Sequence, residues 1–356
     1  VQIGSRTHGF LITPGRIITG RTAAIAAIAI ITSRSPHLEY NDVPTRPILM
    51  LTRELPPQSG QRAAAAFMIQ RWNRNPDTLN QALYGADAIL CTPADRLDAH
   101  FIAVLPASVR VVGTFSVGYE HIDTQAAAAR HVAVVNTPGV LSAATAEFTM
   151  LLLLAAARRA GEGERLLRAG RWAGFPIAKF VGTQLTGKRL GIFGMGRIGE
   201  SLAAMAEGFG MQVHYHNRQP RPDMPHRHYH SDNASFLAAS QFLAICAPAT
   251  PQTRHWLNAD RIAQLPAGAI VVNTARGSLV DDTALIAALQ TGHVAAAGLD
   301  VFADEPNVPA GYLALENVVL TPHIASATSE TREAMGHLVL DGIEAVLAGQ
   351  HPPNQL

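Results

Sequence analysis

Cysteine is scarce in this chain of 356 residues: Cys91 and Cys246 are the only thiols, far apart and outside any metal-ligand spacing. That rules out a disulfide framework and a cysteine-held metal centre, and it suits a reducing, cytoplasmic compartment. Charge of one sign is lacking as well. The formal net charge is +1, so no field steers nucleic acid toward the chain, and no basic run supports such a partner. The apolar run from Met150 to Ala157 is far too short to span a bilayer, with Glu147 before it and Arg158 and Arg159 after it. No membrane partner is expected. What remains is a core-rich globular protein, 48% hydrophobic, whose length suggests two domains.

Residues 1–45 differ from the rest, with four arginines, two acids and an Ala/Ile run from Ala23 to Ile31. A basic region before a short apolar run has the pattern of a signal peptide, but no small-residue cleavage site follows Ile31. The chain also has no Met before position 50, so an over-long reading frame, with Val43 as the start, is the alternative. On either reading 1–45 is an N-terminal extension outside the fold.

From Arg46 onward the pattern is regular. Strands are expected at Pro47–Thr52, Ala86–Cys91, Val109–Thr114 and Val132–Asn136, with a helix over Gln61–Gln70. Strands alternating with helical segments predict a parallel sheet with right-handed crossovers. Ala143 to Arg159, apolar nearly all round, reads as a covered crossover helix and a dimer contact. Later strands are expected at Met211–His216, Phe242–Ala247, Ala269–Thr274, Ala295–Val301 and Val318–Thr321. A helix over Ser326–Ala348 then returns to the first domain.

The stretch that organises the chain is Leu190-Gly-Ile-Phe-Gly-Met-Gly-Arg-Ile-Gly199. A buried strand, a glycine turn and a helix in succession make a dinucleotide fingerprint where three glycines alone would not. Gly194 permits the tight turn, Gly196 lets the backbone approach a pyrophosphate, and Gly199 lets the helix pack on its strand. Arg197 and Ile198 lie at the helix start, where free amides and a partial positive charge face phosphates. After the second strand of this unit the acid that would bind the ribose of NAD is missing. Asn217 stands there, with Arg218 and Arg221 able to pair with a 2′-phosphate. NADPH is the expected cofactor, with NADH as the alternative.

Three residues at the carboxyl ends of late strands suit hydride transfer to a 2-keto acid: Arg276, Glu305 and His323. A histidine can donate the proton the new alkoxide needs, a carboxylate can orient the imidazole and favour its charge, and a guanidinium can grip the substrate carboxylate. His226, His228 and His230 alternate on what reads as a polar loop, and no metal site is expected there.

These stretches carry a resemblance. Ser116-Val-Gly-Tyr-Glu-His-Ile-Asp123, Asn136-Thr-Pro-Gly-Val-Leu141, Gly191–Gly199, Asn273-Thr-Ala-Arg-Gly277, Gly298-Leu-Asp-Val-Phe302 and Pro322-His-Ile-Ala-Ser-Ala-Thr328 resemble the D-2-hydroxyacid dehydrogenases, within them the glyoxylate/hydroxypyruvate reductases. The likeness runs from about Arg46 to Leu356. It implies an α/β fold of two doubly wound parallel-sheet domains. A Rossmann dinucleotide-binding domain over 146–325 would be inserted into a smaller flavodoxin-like substrate domain, 46–145 plus 326–356. It implies that Arg276, Glu305 and His323 are catalytic and that the amides of Val117 and Gly118 hold the substrate carboxylate. Asp300 would meet the nicotinamide carboxamide, while Cys246 and Thr274 line the nicotinamide ribose. Trp172 would reach the partner subunit's site in a homodimer, although Phe175 stands where a second tryptophan is often found.

The activity implied is reduction of glyoxylate or hydroxypyruvate to glycolate or D-glycerate. A D-lactate or 3-phosphoglycerate dehydrogenase is the alternative in chemistry, though no regulatory domain follows Leu356, and Glu305 speaks against a formate dehydrogenase. A nucleotide-sensing corepressor is the alternative in class, against which the intact trio counts.

Overall fold

The computed structural model describes residues 46–356 apart from 176, so the expectations for 1–45 lie outside the described residues. The first five strands are β1 (Ile48–Leu51), β2 (Met68–Arg71), β3 (Ala88–Cys91), β4 (Val111–Thr114) and β5 (Ala133–Val135). They form one parallel sheet in the order β2-β1-β3-β4-β5. Helices α1 (Pro57–Ala66), α2 (Leu79–Leu83), α3 (Ala99–Ala103) and α4 (Thr124–Ala129) connect them. Strands β3 and β4 are buried throughout, which is why they read as continuous apolar runs. Asp98 and Asp123 start α3 and α4 by accepting the amides of Phe101 and Ala126.

The helix expected over Gln61–Gln70 is displaced. It runs from Pro57 to Ala66, and Met68–Arg71 is the edge strand β2. The backbone turns extended at Phe67, and the Met68 amide donates to Pro47 O, which brings the segment onto the edge of β1.

The chain leaves this sheet through α5 (Ser142–Ala157) and α6 (Ala160–Arg168). Seven further strands follow: β6 (Arg189–Phe193), β7 (Gln212–His216), β8 (His228–His230), β9 (Phe242–Ile245), β10 (Ala269–Asn273), β11 (Val294–Leu299) and β12 (Val318–Leu320). They pair in parallel in the order β12-β11-β10-β9-β6-β7-β8. Their helices are α7 (Arg197–Gly208), α8 (Asn233–Ala239), α9 (Ala259–Ile262), α10 (Asp282–Thr291) and α11 (Ala310–Leu313). The all-apolar α5 is covered as its composition requires, by α7, β10 and β11, with Leu152 seated over Gly298. Leu151 on its outer side stays exposed. The segment expected to be a polar loop around His228 is instead the edge strand β8. There His228 stacks on His214, whose Nδ1 lies 2.9 Å from Nε2 of His230.

The last helix, α12 (Ser329–Leu347), is capped by Thr328 and packs on the first sheet. Gly113 makes room for it: a Cβ there would lie 2.7 Å from Val339 Cγ2 and 2.8 Å from Ile343 Cδ1. The chain end follows, with the Leu356 amide donating to Val134 O and the Asn354 side chain to Asn136 O. In both sheets the strand order reverses in the interior, at β1/β3 and at β6/β9. Ligands of open α/β sheets bind outside the strand carboxyl ends at such points.

Candidate active site

The glycine turn sits at the β6/β9 reversal. Gly194 has φ +99°, and a Cβ there would lie 2.6 Å from the Ala247 amide nitrogen, so only glycine fits. At Gly199 a Cβ would overlap the carbonyl oxygen of Gly194, and its absence draws α7 onto the turn. Gly196 differs from both: it is the N-cap of α7, offers no side-chain cap, and a Cβ there would meet nothing within 4 Å. Open space therefore lies above the start of a twelve-residue helix, which fits a pyrophosphate against free amides. Arg197 is exposed at this start, while Ile198 turns back to pack on the core of the first sheet.

Beyond β7, Asn217 Oδ1 accepts the Met195 amide at 2.7 Å, tying the strand end to the glycine turn. Arg221 grips Asp223 with two bonds, at 2.9 and 2.7 Å, and donates to Met195 O. Arg218 makes no hydrogen bond or ion pair among the described residues, so its charge is available. Across the reversal, burial pushes the Cys246 thiol up to about 12, which leaves it an inert wall. Thr274 lies at the end of β10 with its hydroxyl 2.7 Å from that of Thr149 on α5.

Four segments bring the remaining candidates together. Gly277 lies against the backbone of Phe302 and Ala303, where a Cβ would overlap both, and this places the Arg276 loop on the Glu305 loop. Glu305 Oε1 accepts the Phe302 amide at 3.0 Å, and Oε2 pairs with His323 Nδ1 at 2.7 Å. Partial burial opposes ionisation of Glu305, but His323, with a contribution from Arg276, holds its carboxyl below the usual range. His323 itself is held in the left-handed region, φ 56°, with its amide donating to Asp300 O at 2.8 Å. Asp300 is fully buried. Its carboxylate accepts from the Thr321 hydroxyl at 2.6 Å and the amides of Ile324 and Ala325 at 2.9 and 2.8 Å.

The fourth segment comes from the first sheet. The loop after β4 is stiffened by Asn136 Nδ2 donating to Val117 O and Ser116 Oγ donating to Gly118 O. Gly118 abuts Arg276, where a Cβ would overlap Nη2, so the loop carrying Val117 and Gly118 lies directly against the Arg276 side chain. Two residues of this loop carry contacts that their types alone did not announce. Glu120 forms an ion pair with Arg276 Nε, and His121 packs against Cys91 with its Nε2 2.9 Å from the Thr114 hydroxyl. Burial, with the Arg276 charge acting the same way, lowers His121 to about 4. The signal for Glu120 was an acid two residues past a proposed anion-binding glycine. Trp172 points to solvent, 61% exposed, on a segment where Phe175, Ile177 and Val181 are also exposed.

Among the described residues no group of three or more His, Cys, Asp or Glu is placed to hold a metal ion, and no helix is long and apolar enough to cross a membrane.

Residues 150–325 match the family model for the D-isomer specific 2-hydroxyacid dehydrogenase NAD binding domain. The chain is 40% identical over 309 residues to a glycerate dehydrogenase of Hyphomicrobium methylovorum, covering 85% of this chain and 96% of that one. It is 37% identical over 320 residues to a glyoxylate reductase of Thermococcus litoralis, covering 87% and 96%. Its fold superposes with a TM-score of 0.80 on an NADPH-dependent glyoxylate/hydroxypyruvate reductase of Sinorhizobium meliloti solved with NADP and malonate. That protein is 35% identical, with 87% of this chain and 97% of that one covered.

Proposed function

This chain belongs to the D-isomer specific 2-hydroxyacid dehydrogenases, in the glyoxylate reductase branch, and from that premise we propose that it reduces glyoxylate and hydroxypyruvate to glycolate and D-glycerate with NADPH. The observation that carries this reading is the pairing of His323 Nδ1 with Glu305 Oε2 beside Arg276. When bound, the nicotinamide supplies a hydride to C2 of the substrate. Arg276 and the amides of Val117 and Gly118 hold the substrate carboxylate, which orients the keto carbon. Because Nδ1 of His323 is engaged by Glu305, Nε2 is the atom that gives its proton to the carbonyl oxygen. The Glu305 carboxylate orients that imidazole through Nδ1. Asp300, buried beneath, holds the loop that aims that imidazole.

The choice of NADPH rests on Arg218, whose charge is unpaired among the described residues, and on Asn217, which presents no charge to a 2′-phosphate. Arg221 contributes less, since Asp223 already neutralises it. We assign 46–145 plus 326–356 to the substrate domain and 146–325 to the cofactor domain, on the packing of α12 against β4. A homodimer is supported by the apolar exposure of Leu151, Trp172 and Phe175, and a cytoplasmic setting by two free thiols.

The deciding experiment is oxidation of NADPH and NADH by the purified chain with glyoxylate, hydroxypyruvate and pyruvate side by side. Fast NADPH-linked turnover of the first two is expected. NADH preference would remove the Arg218 reading, and turnover of pyruvate alone would remove the substrate reading.

A further inference from the structure

We propose that Glu120 is an internal stand-in for the substrate carboxylate, an affinity-setting residue that pairs with Arg276 until an acid displaces it. The inference rests on Arg276 being the group that grips the substrate.

Glu120 and Arg276 follow strands of different sheets, β4 and β10, and their ion pair joins the two loops. The pair lies where the substrate acid would sit, since Gly118 abuts both partners: a Cβ at Gly118 would overlap Arg276 Nη2 and lie 2.5 Å from Glu120 Oε2. The loop is not free to swing away. Ser116 and Asn136 fix the carbonyls of Gly118 and Val117, so Glu120 is presented from a stiff support. It is ionised at neutral pH. Burial opposes this, but the Arg276 charge holds its carboxyl below the usual range. Its neighbour His121, lowered to about 4, is neutral at pH 7 and offers Glu120 no competing cation.

The consequence is a threshold for entry. A carboxylate-bearing substrate exchanges one ion pair for another, a nearly balanced step. A neutral aldehyde or ketone has nothing to exchange, and it meets an arginine whose field is already cancelled. The affinity for 2-keto acids is thereby held down, as a competing partner lowers apparent affinity by the fraction of free sites.

The test uses the full chain saturated with NADPH and titrated with oxalate, a dicarboxylate that cannot accept a hydride. Glu120→Gln keeps the side-chain shape but removes the charge. It is expected to bind oxalate about two- to fivefold more tightly than the wild type, the range of a half-exposed ion pair. The KM for glyoxylate should fall by a similar factor, and turnover of neutral glycolaldehyde, which brings no carboxylate to compete, should stay at the wild-type level. Glu120→Asp, one methylene shorter, should shift oxalate binding the same way by less, and it serves if the Gln variant folds poorly. Oxalate binding unchanged or weakened in these variants overturns the proposal, as does glycolaldehyde turnover that rises by the same factor as oxalate affinity. Arg276→Gln is the separate check on the premise: if it binds oxalate as the wild type does, Arg276 is not the substrate-gripping group, whatever Glu120 does.

Discussion

Asp300 fixes the conformation of His323 without touching its ring. The Asp300 carbonyl accepts the His323 amide, and its carboxylate accepts three further bonds from Thr321, Ile324 and Ala325, on either side of the histidine. A non-glycine residue at φ 56° persists only where its surroundings over-determine it, and these four bonds do so. Asp300→Asn would turn one acceptor into a donor facing backbone amides. Stability should fall by about 1–3 kcal/mol, and kcat by about 100-fold as the imidazole loses its aim. Denaturant melts and steady-state kinetics check both numbers.

His323→Ala removes the proposed proton donor and should lower kcat by about 10²- to 10⁴-fold. Glu305→Gln leaves the imidazole without its charge partner and should lie between that variant and the wild type. Arg276→Ala should likewise abolish turnover. NADPH affinity, read by fluorescence titration, should stay near the wild-type value in all three. A near-normal kcat in His323→Ala or Arg276→Ala would remove that residue from the catalytic trio.

The three fingerprint glycines should separate under substitution by alanine. Gly194→Ala meets the backbone of Cys246 and Ala247 and a positive φ, so the melting temperature should drop. Gly196→Ala meets no protein atom, so the fold should stand while NADPH binding weakens, since the added methyl enters the space above the α7 amides. Unchanged NADPH binding in Gly196→Ala would mean that the pyrophosphate does not lie there.

Cofactor choice should shift with Arg218. Arg218→Ala is expected to raise the KM for NADPH about tenfold, the loss of one charged hydrogen-bond partner, and to leave that for NADH unchanged. Arg221→Ala should do less, because Asp223 already holds that guanidinium. Equal effects on both cofactors would place the 2′-phosphate elsewhere.

Acid should destabilise the protein in two stages. His121 and His214 are lowered from 6.5 to about 4, and His230 is lowered as well, in each case chiefly by burial. Their neutral forms belong to the folded state, so the unfolded chain binds more protons below pH 6.5, and stability falls from there toward 4. Glu120 and Glu305 are lowered from 4.5, so their contribution is intact above that value and disappears only below it. The melting temperature should therefore decline between pH 6.5 and 4.5 on account of histidines alone. His214→Gln should flatten that decline, and an unaltered slope would contradict the assignment.

The parts of this fold that were legible in the chain are those where one physical demand dominates. The buried strands β3, β4 and β10 must be apolar throughout, and the turn at Gly194 tolerates no side chain. Illegible were β2 and β8, both short edge strands of three or four residues. Met68–Arg71 follows an alanine-rich helix with no break in composition, and His228–His230 consists of residues that loops also use. Among the proposed functional groups, Arg276, Glu305 and His323 stand out in the sequence by residue type at strand ends. Glu120 did not, because its significance comes from an arginine 156 positions away that only the fold brings near.

The return of α12 to the first sheet orders events during synthesis. Strands β1 to β5 leave the ribosome early, yet the face of β4 beside Gly113 is covered by Val339 and Ile343 of α12, and β5 meets Leu356 beyond it. The cofactor lobe, contiguous in sequence, can close on itself first, since domains fold as units when their chain is complete. The lobe translated first is thus finished last. Until α12 emerges, an unfinished apolar sheet waits beside a lobe that has already folded.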